Sequence, residues 1–126
     1  MHVLLVEPDS VLAKAYADAL RGWGWLVSRA VSAQQAVSAA DDRRPDVVVL
    51  ALSMARHNGV EFLYEFKSYT EWRDVPVIVL VSSLNHDVVG LDTLRHDLGV
   101  REVLVRSQTT LQELCEAVAR MEQPTA

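Results

Sequence analysis

Cysteine is nearly absent: Cys115 is the only one in 126 residues. That excludes an intrachain disulfide framework and fits a reducing compartment. Lysine is scarce too. Lys14 and Lys67 are the only two, and the remaining basic residues are arginines scattered along the chain. With 12 basic against 17 acidic residues the net charge is -5. The clustered cationic surface that nucleic acid demands is missing. No apolar run approaches the ~18 residues needed to span a membrane. Met1-His2-Val3-Leu4-Leu5-Val6-Glu7 is not a secretory signal, because its apolar run is short and an acid follows at once. Internal repeats and low-complexity segments are lacking as well. The expectation is a cytoplasmic protein that binds neither membrane nor nucleic acid.

Half of the residues are hydrophobic and 23% are charged, as in an ordinary globular domain. The length suits one domain, here 1–122, followed by a short tail at 123–126. Val3 to Val6 is a continuous apolar run, which predicts a strand buried on both faces. Glu7-Pro8-Asp9-Ser10 breaks it, and Asp9 or Ser10 can cap the next helix. Leu12, Tyr16, Ala19, Leu20 and Trp23 recur at helical spacing, and Gly22 and Gly24 end that helix. Trp25 to Val31 reads as a second strand with Leu26, Val27 and Ala30 as its core residues. A helix over Ala33–Asp41 presents Ala36, Val37 and Ala40, and Arg44-Pro45 closes it.

Pro45 to Ser53 reads as a third buried strand that ends in a turn. Ser53 to Asn58 is a loop, and Gly59 opens a helix with Phe62, Leu63 and Phe66 inward. Val77 to Val81 is the fourth strand. Val88, Leu91, Leu94 and Leu98 mark a further helix that ends at Gly99. Val103 to Val105 is the fifth strand. The last helix turns Leu111, Leu114, Ala117, Val118 and Met121 inward, with Cys115 as a small buried residue. Strand and helix thus alternate five times. The expected fold class is α/β, a (βα)5 doubly wound, five-stranded parallel sheet of flavodoxin-like type in a single domain. In such sheets the working cleft lies beyond the carboxyl ends of the strands, where strand order reverses.

Pro45-Asp46-Val47-Val48-Val49-Leu50, His57-Asn58-Gly59-Val60-Glu61-Phe62-Leu63, Arg73-Asp74-Val75-Pro76-Val77-Ile78-Val79-Leu80 and Gly99 to Arg106 occur in this order. Together, at this spacing, they closely resemble the receiver domain of bacterial response regulators over nearly the whole chain. The resemblance implies a cleft that takes phosphoryl from a histidine kinase. An aspartate ending the third strand attacks, and an acid pair after the first strand helps it hold magnesium. A hydroxyl ending the fourth strand and a lysine ending the fifth bind the phosphoryl oxygens. A carboxylate attacking a phosphoryl group needs its charge offset by such cations.

Here the pattern departs at each part. The nucleophile position is Ala51, and the acid pair is Glu7 and Pro8. Asp9 lies one place too far along and reads as a helix cap. The hydroxyl position is Val81, or Ser82 if the strand slips by one. The lysine position is Arg106, followed by Ser107 rather than proline, and Val103 replaces the usual aromatic of the fifth strand. A hard divalent ion wants several oxygen ligands, so neither bound magnesium, nor any other cofactor, nor catalysis is expected. Arg106, longer than lysine, is expected to reach Glu7 across the space Ala51 leaves.

The degenerate pocket comprises Glu7, Pro8, Asp9, Ala51, Ser53, Val81, Ser82 and Arg106. The resemblance implies an interaction face on the fourth helix, fifth strand and fifth helix, Val88 to Ala119, with Asp92, Arg95, Arg101, Glu102 and Val103 as its candidates. The reading is a pseudo-receiver that binds protein partners, including a second copy of itself, without phosphorylation. Its rivals are a switch phosphorylated elsewhere, Ser53 being the candidate, a small-ligand sensor using the vacated cleft, and a purely structural domain. His2, His57, His86 and His96 show no metal-ligand spacing and are expected at the surface. Of Trp23 and Trp25, one is expected in the core and the other on a contact surface. Arg43-Arg44 is expected to be a solvated helix end.

Overall fold

The computed structural model describes residues 1–52, 59–82 and 95–122. Five parallel strands, β1 (His2–Val6), β2 (Leu26–Ala30), β3 (Val47–Ala51), β4 (Val77–Val81) and β5 (Val100–Val105), form one sheet in the order β2-β1-β3-β4-β5. Strands β1, β3 and β4 are buried at every position. Their unbroken Val/Leu/Ile runs reflect helices on both faces, as the parallel arrangement requires. Among the described residues the full helices are α1 (Ser10–Gly22), α2 (Ala33–Asp42), α3 (Gly59–Ser68) and the C-terminal helix α4 (Leu111–Met121).

Alternate residues of each strand feed two cores. Leu4, Val6, Val48, Leu50, Val77, Val79 and Val81 pack under α2 and α3 with Phe62, Leu63 and Phe66. Val3, Leu5, Val47, Val49, Ile78 and Leu80 pack under α1 and α4 with Tyr16, Leu20, Leu114 and Val118. Cys115 is buried in this second core, where loss of solvent raises its thiol pKa. Small residues fill the contact face of α1: Ala13 and Ala17 are buried there, while Leu12 and Ala19 are only half-buried.

Several expected inward residues turn outward. Leu26 is 52% exposed, because β2 is the free edge of the sheet. Leu111 sits in the first turn of α4, before that helix reaches the sheet, and is exposed. Of the two tryptophans, Trp25 is buried and Trp23 exposed, as expected, with their rings tilted to each other at 5.4 Å. His2 is the opposite correction, only 4% exposed. Its ring nitrogens meet the Arg44 carbonyl at 3.2 Å and the Ser28 hydroxyl at 2.7 Å, tying β1 to β2 and to the segment before β3. Arg43 and Arg44 are exposed, and Arg44 Nε donates to the Glu71 carbonyl.

At the carboxyl end of β3, the Gly59 amide donates to the Leu52 carbonyl at 2.9 Å. A Cβ on Gly59 would lie 2.7 Å from that oxygen, so only glycine allows α3 to start so close to the strand. The expected loop Ser53–Asn58, with His57, lies outside the described residues. So do the tail and most of the helix expected over Val88–Leu98, including His86 just before it.

Candidate functional site

Strands β1 and β3 are neighbours at the point where strand order reverses, so the residues after them share one cleft. Glu7 follows β1 and is 1% exposed. Its amide continues the sheet by donating to the Ala30 carbonyl at 3.0 Å. Its carboxylate turns inward and has two partners. Arg106 Nη2 donates to Oε1 at 2.7 Å, and the Asp9 amide donates to Oε2 at 3.1 Å. Arg106 opens a short 3-10 turn, Arg106–Gln108, directly after β5. Strands β3 and β4 lie between β1 and β5, so the ion pair spans the carboxyl end of the sheet. The reach expected of Arg106 is therefore present in the structure.

The electrostatics are not those of an ordinary surface pair. Burial raises the Glu7 pKa above 4.5, and this outweighs the opposing pull of the Asp9 amide and of Arg106. The Arg106 side chain is 30% exposed, yet its Nε is buried without a hydrogen-bond partner among the described residues. Beside it lies Tyr16, whose phenol burial pushes toward the neutral form and Arg106 pulls the other way. Tyr16 belongs to this cluster, and the sequence offered only its polar tip on an inward helix face as a signal.

The remaining candidate positions are apolar or already engaged. Ala51 ends β3 and is completely buried. Val81 ends β4, buried toward α2 and α3, whereas Ser82 is exposed just beyond the strand. Pro8 offers no side-chain oxygen. Asp9 caps α1, its Oδ1 accepting from the amides of Val11 at 2.9 Å and Leu12 at 3.0 Å. Ser53 lies outside the described residues. A hard divalent ion needs several free oxygen ligands. Here both Glu7 oxygens already accept hydrogen bonds, Asp9 is held on the α1 cap, and Pro8, Ala51 and Val81 carry no side-chain oxygen, so these residues do not fit a magnesium ion.

Of the expected interaction residues, Arg101, Glu102 and Val103 lie on β5 and Arg95 precedes it. Arg95 and Arg101 are exposed. Arg101 is the extra residue of a bulge, because Val77 faces Val100 and Ile78 faces Glu102. Glu102 accepts two hydrogen bonds from Arg120 of α4, at 2.7 and 3.0 Å. Val103 is half-buried against the core under α3. Asp92 lies outside the described residues.

With a parallel β2-β1-β3-β4-β5 sheet and a cleft at its switch point, the comparison with known families is direct. The family model of the response regulator receiver domain matches residues 3–119. The chain belongs to that family. The receiver domain is 33% identical over 122 residues to the transcriptional regulatory protein PrrA of Mycobacterium tuberculosis, covering 95% of this chain and 48% of PrrA. It is 30% identical over 118 residues to the KDP operon transcriptional regulatory protein KdpE of Escherichia coli, covering 88% of this chain and 51% of KdpE. The receiver domain thus spans about half the length of these curated relatives.

Among solved structures, the non-phosphorylated HemR receiver domain of Leptospira biflexa superposes with a TM-score of 0.82 at 23% identity, covering 99% of this chain and 96% of that one. The receiver domain of the sensor histidine kinase PA1611 of Pseudomonas aeruginosa, which holds magnesium in its active-site cleft, gives 0.78 at 23%, covering 97% and 98%. These two carry the fold. The relatives are named as transcriptional regulators, so the expected exclusion of nucleic acid has no support for a longer protein that carries this domain. The acidic balance speaks for these residues alone. Among the described residues no helix is long and apolar enough to cross a membrane.

Proposed function

We propose that this receiver domain works without aspartyl phosphorylation, as a protein-interaction module in two-component signalling. The observation that carries the reading is Ala51, buried at the end of β3 where the receiver pattern implies the attacking aspartate. A methyl group cannot attack phosphorus. The Glu7–Arg106 pair supports it, since the acid and the cation that would serve the reaction hold each other at 2.7 Å. Together they fix the cleft in one arrangement. Signalling then depends on which proteins the surface meets, with the exposed Arg95 and Arg101 at the β5 edge as contacts.

The test is incubation of the whole chain with a small phosphoryl donor and magnesium, followed by intact mass. The expected mass is unchanged. A gain of one phosphoryl group rejects the reading, and peptide mapping of that adduct locates the acceptor, Ser53 included.

A further inference from the structure

A cleft of about 620 Å³ opens between α2, α3 and the 3-10 turn Thr70–Trp72. Its apolar floor includes Val37, Phe62 and Trp72. The floor is stiff, because Phe62 stacks on Phe66 at 5.3 Å and Phe66 on Trp72 at 5.0 Å. Tyr69 stands edge-on to Trp72 at 4.8 Å and is 40% exposed, offering part of its ring to the cleft.

Around that floor stand Asp41, Glu61, Glu65 and Glu71, contributed by three different elements, and among the described residues no basic one lines the cleft. All four are exposed, and none belongs to an ion pair among the described residues. Two neighbouring cations spend hydrogen bonds on main-chain oxygens. Lys67 donates to the carbonyls of Arg73 and Val75, and Arg44 Nε donates to the main-chain oxygen of Glu71 at 3.1 Å. Glu61 and Glu65 are one helical turn apart, a like-charge spacing that works against α3 in isolation. The arrangement therefore costs the free domain something that a cationic partner would relieve.

We infer that this cleft is a docking groove for a basic, amphipathic segment of a partner protein. Apolar side chains of that segment pack on the half-buried Ala33 and Val37, above Phe62 and Trp72, which are themselves buried. Its arginines or lysines sit among the four carboxylates, with Tyr69 supplying a ring face for one of them. An acidic or wholly apolar segment would leave the carboxylates repelled or desolvated without a partner. A second copy of this chain, at net charge -5, is disfavoured by the same sign of charge. The groove is separate from the strand-end cleft, and the inference holds however that cleft is read.

The probe is a short fluorescein-labelled amphipathic peptide with arginine on one face and leucine on the other. Its control is the same peptide with glutamate in place of arginine. Fluorescence anisotropy with the intact chain is expected to show saturable binding of the first peptide only. The double variant Asp41→Lys/Glu65→Lys should weaken that binding about tenfold. Both positions lie in the last turns of their helices, where a cation is favoured, so the fold is retained and circular dichroism checks it. Glu116→Lys, exposed on α4, should leave binding within about twofold, the spread of a distant surface charge.

Equal weakening by Glu116→Lys overturns the groove in favour of diffuse charge attraction. Absence of binding, or binding indifferent to the double variant, also overturns it. Tetramethylammonium displacing the peptide at micromolar concentration reassigns the groove to a small organic cation. A wild-type dimer in sedimentation that the double variant abolishes reassigns it to a second copy.

Discussion

At the scale of the residue, the cleft turns on how a buried carboxylate is kept. Glu7 has one cation and one amide for partners, and burial still holds its pKa above 4.5. The folded domain therefore binds this proton more tightly than the unfolded chain does. Glu7's contribution to stability is fully present below 4.5 and is lost as pH rises through the folded value. Urea denaturation of the wild type across the acid range should show a downward slope in stability just above pH 4.5, relative to Glu7→Gln. Parallel curves for the two proteins would refute this account of Glu7. The pairing itself was legible in the sequence, because Ala51 offers the longer Arg106 no carboxylate while Glu7 remains. His2 was not legible. Its burial depends on Ser28 and Arg44, which only the sheet register brings to it.

At the scale of the element, the start of α3 sets the wall of the cleft. The Gly59 amide is fastened to the Leu52 carbonyl, and a Cβ there would meet the Leu52 oxygen at 2.7 Å and its Cα at 2.8 Å. Both are backbone atoms and cannot swing aside. Gly59→Ala is therefore expected to cost about 2 kcal/mol, the usual penalty of overpacking a tight contact, read as a fall in the urea midpoint. A change within about 0.5 kcal/mol, the range of ordinary surface substitutions, would show that α3 can shift away from β3. Continuous apolar runs revealed β1, β3 and β4 in the sequence, since strands covered on both faces have no polar side to hide. The β2 edge was harder. Leu26 has the composition of a core residue, but no strand lies beyond β2 to shelter it. Ala13 and Ala17 were passed over for the opposite reason: their small size is what lets α1 approach the sheet.

At the scale of the whole molecule, the positions that the receiver pattern gives to one reaction arrive from four separate strands. Glu7 and Pro8 follow β1, Ala51 ends β3, Val81 ends β4 and Arg106 follows β5. The alternation of strand and helix made the parallel sheet legible, and the strand order of the structure brings them to one end of it. On the proposed reading, no single substitution rebuilds a set distributed in this way. Ala51→Asp would place a carboxylate at a site with no solvent exposure, where the neighbouring cation Arg106 already serves Glu7. The charge would lack full compensation, and the variant should lose about 2–3 kcal/mol of stability. It should also gain no phosphoryl mass from a small donor with magnesium, because Pro8 still denies the metal a second acid. Adding Pro8→Asp to Ala51→Asp supplies that acid. The double variant is expected to show a magnesium-dependent rise in melting temperature that the single variant lacks. Phosphorylation of Ala51→Asp alone would mean that the loss of chemistry lies in one residue, and that Pro8, Val81 and Arg106 are compatible with the reaction.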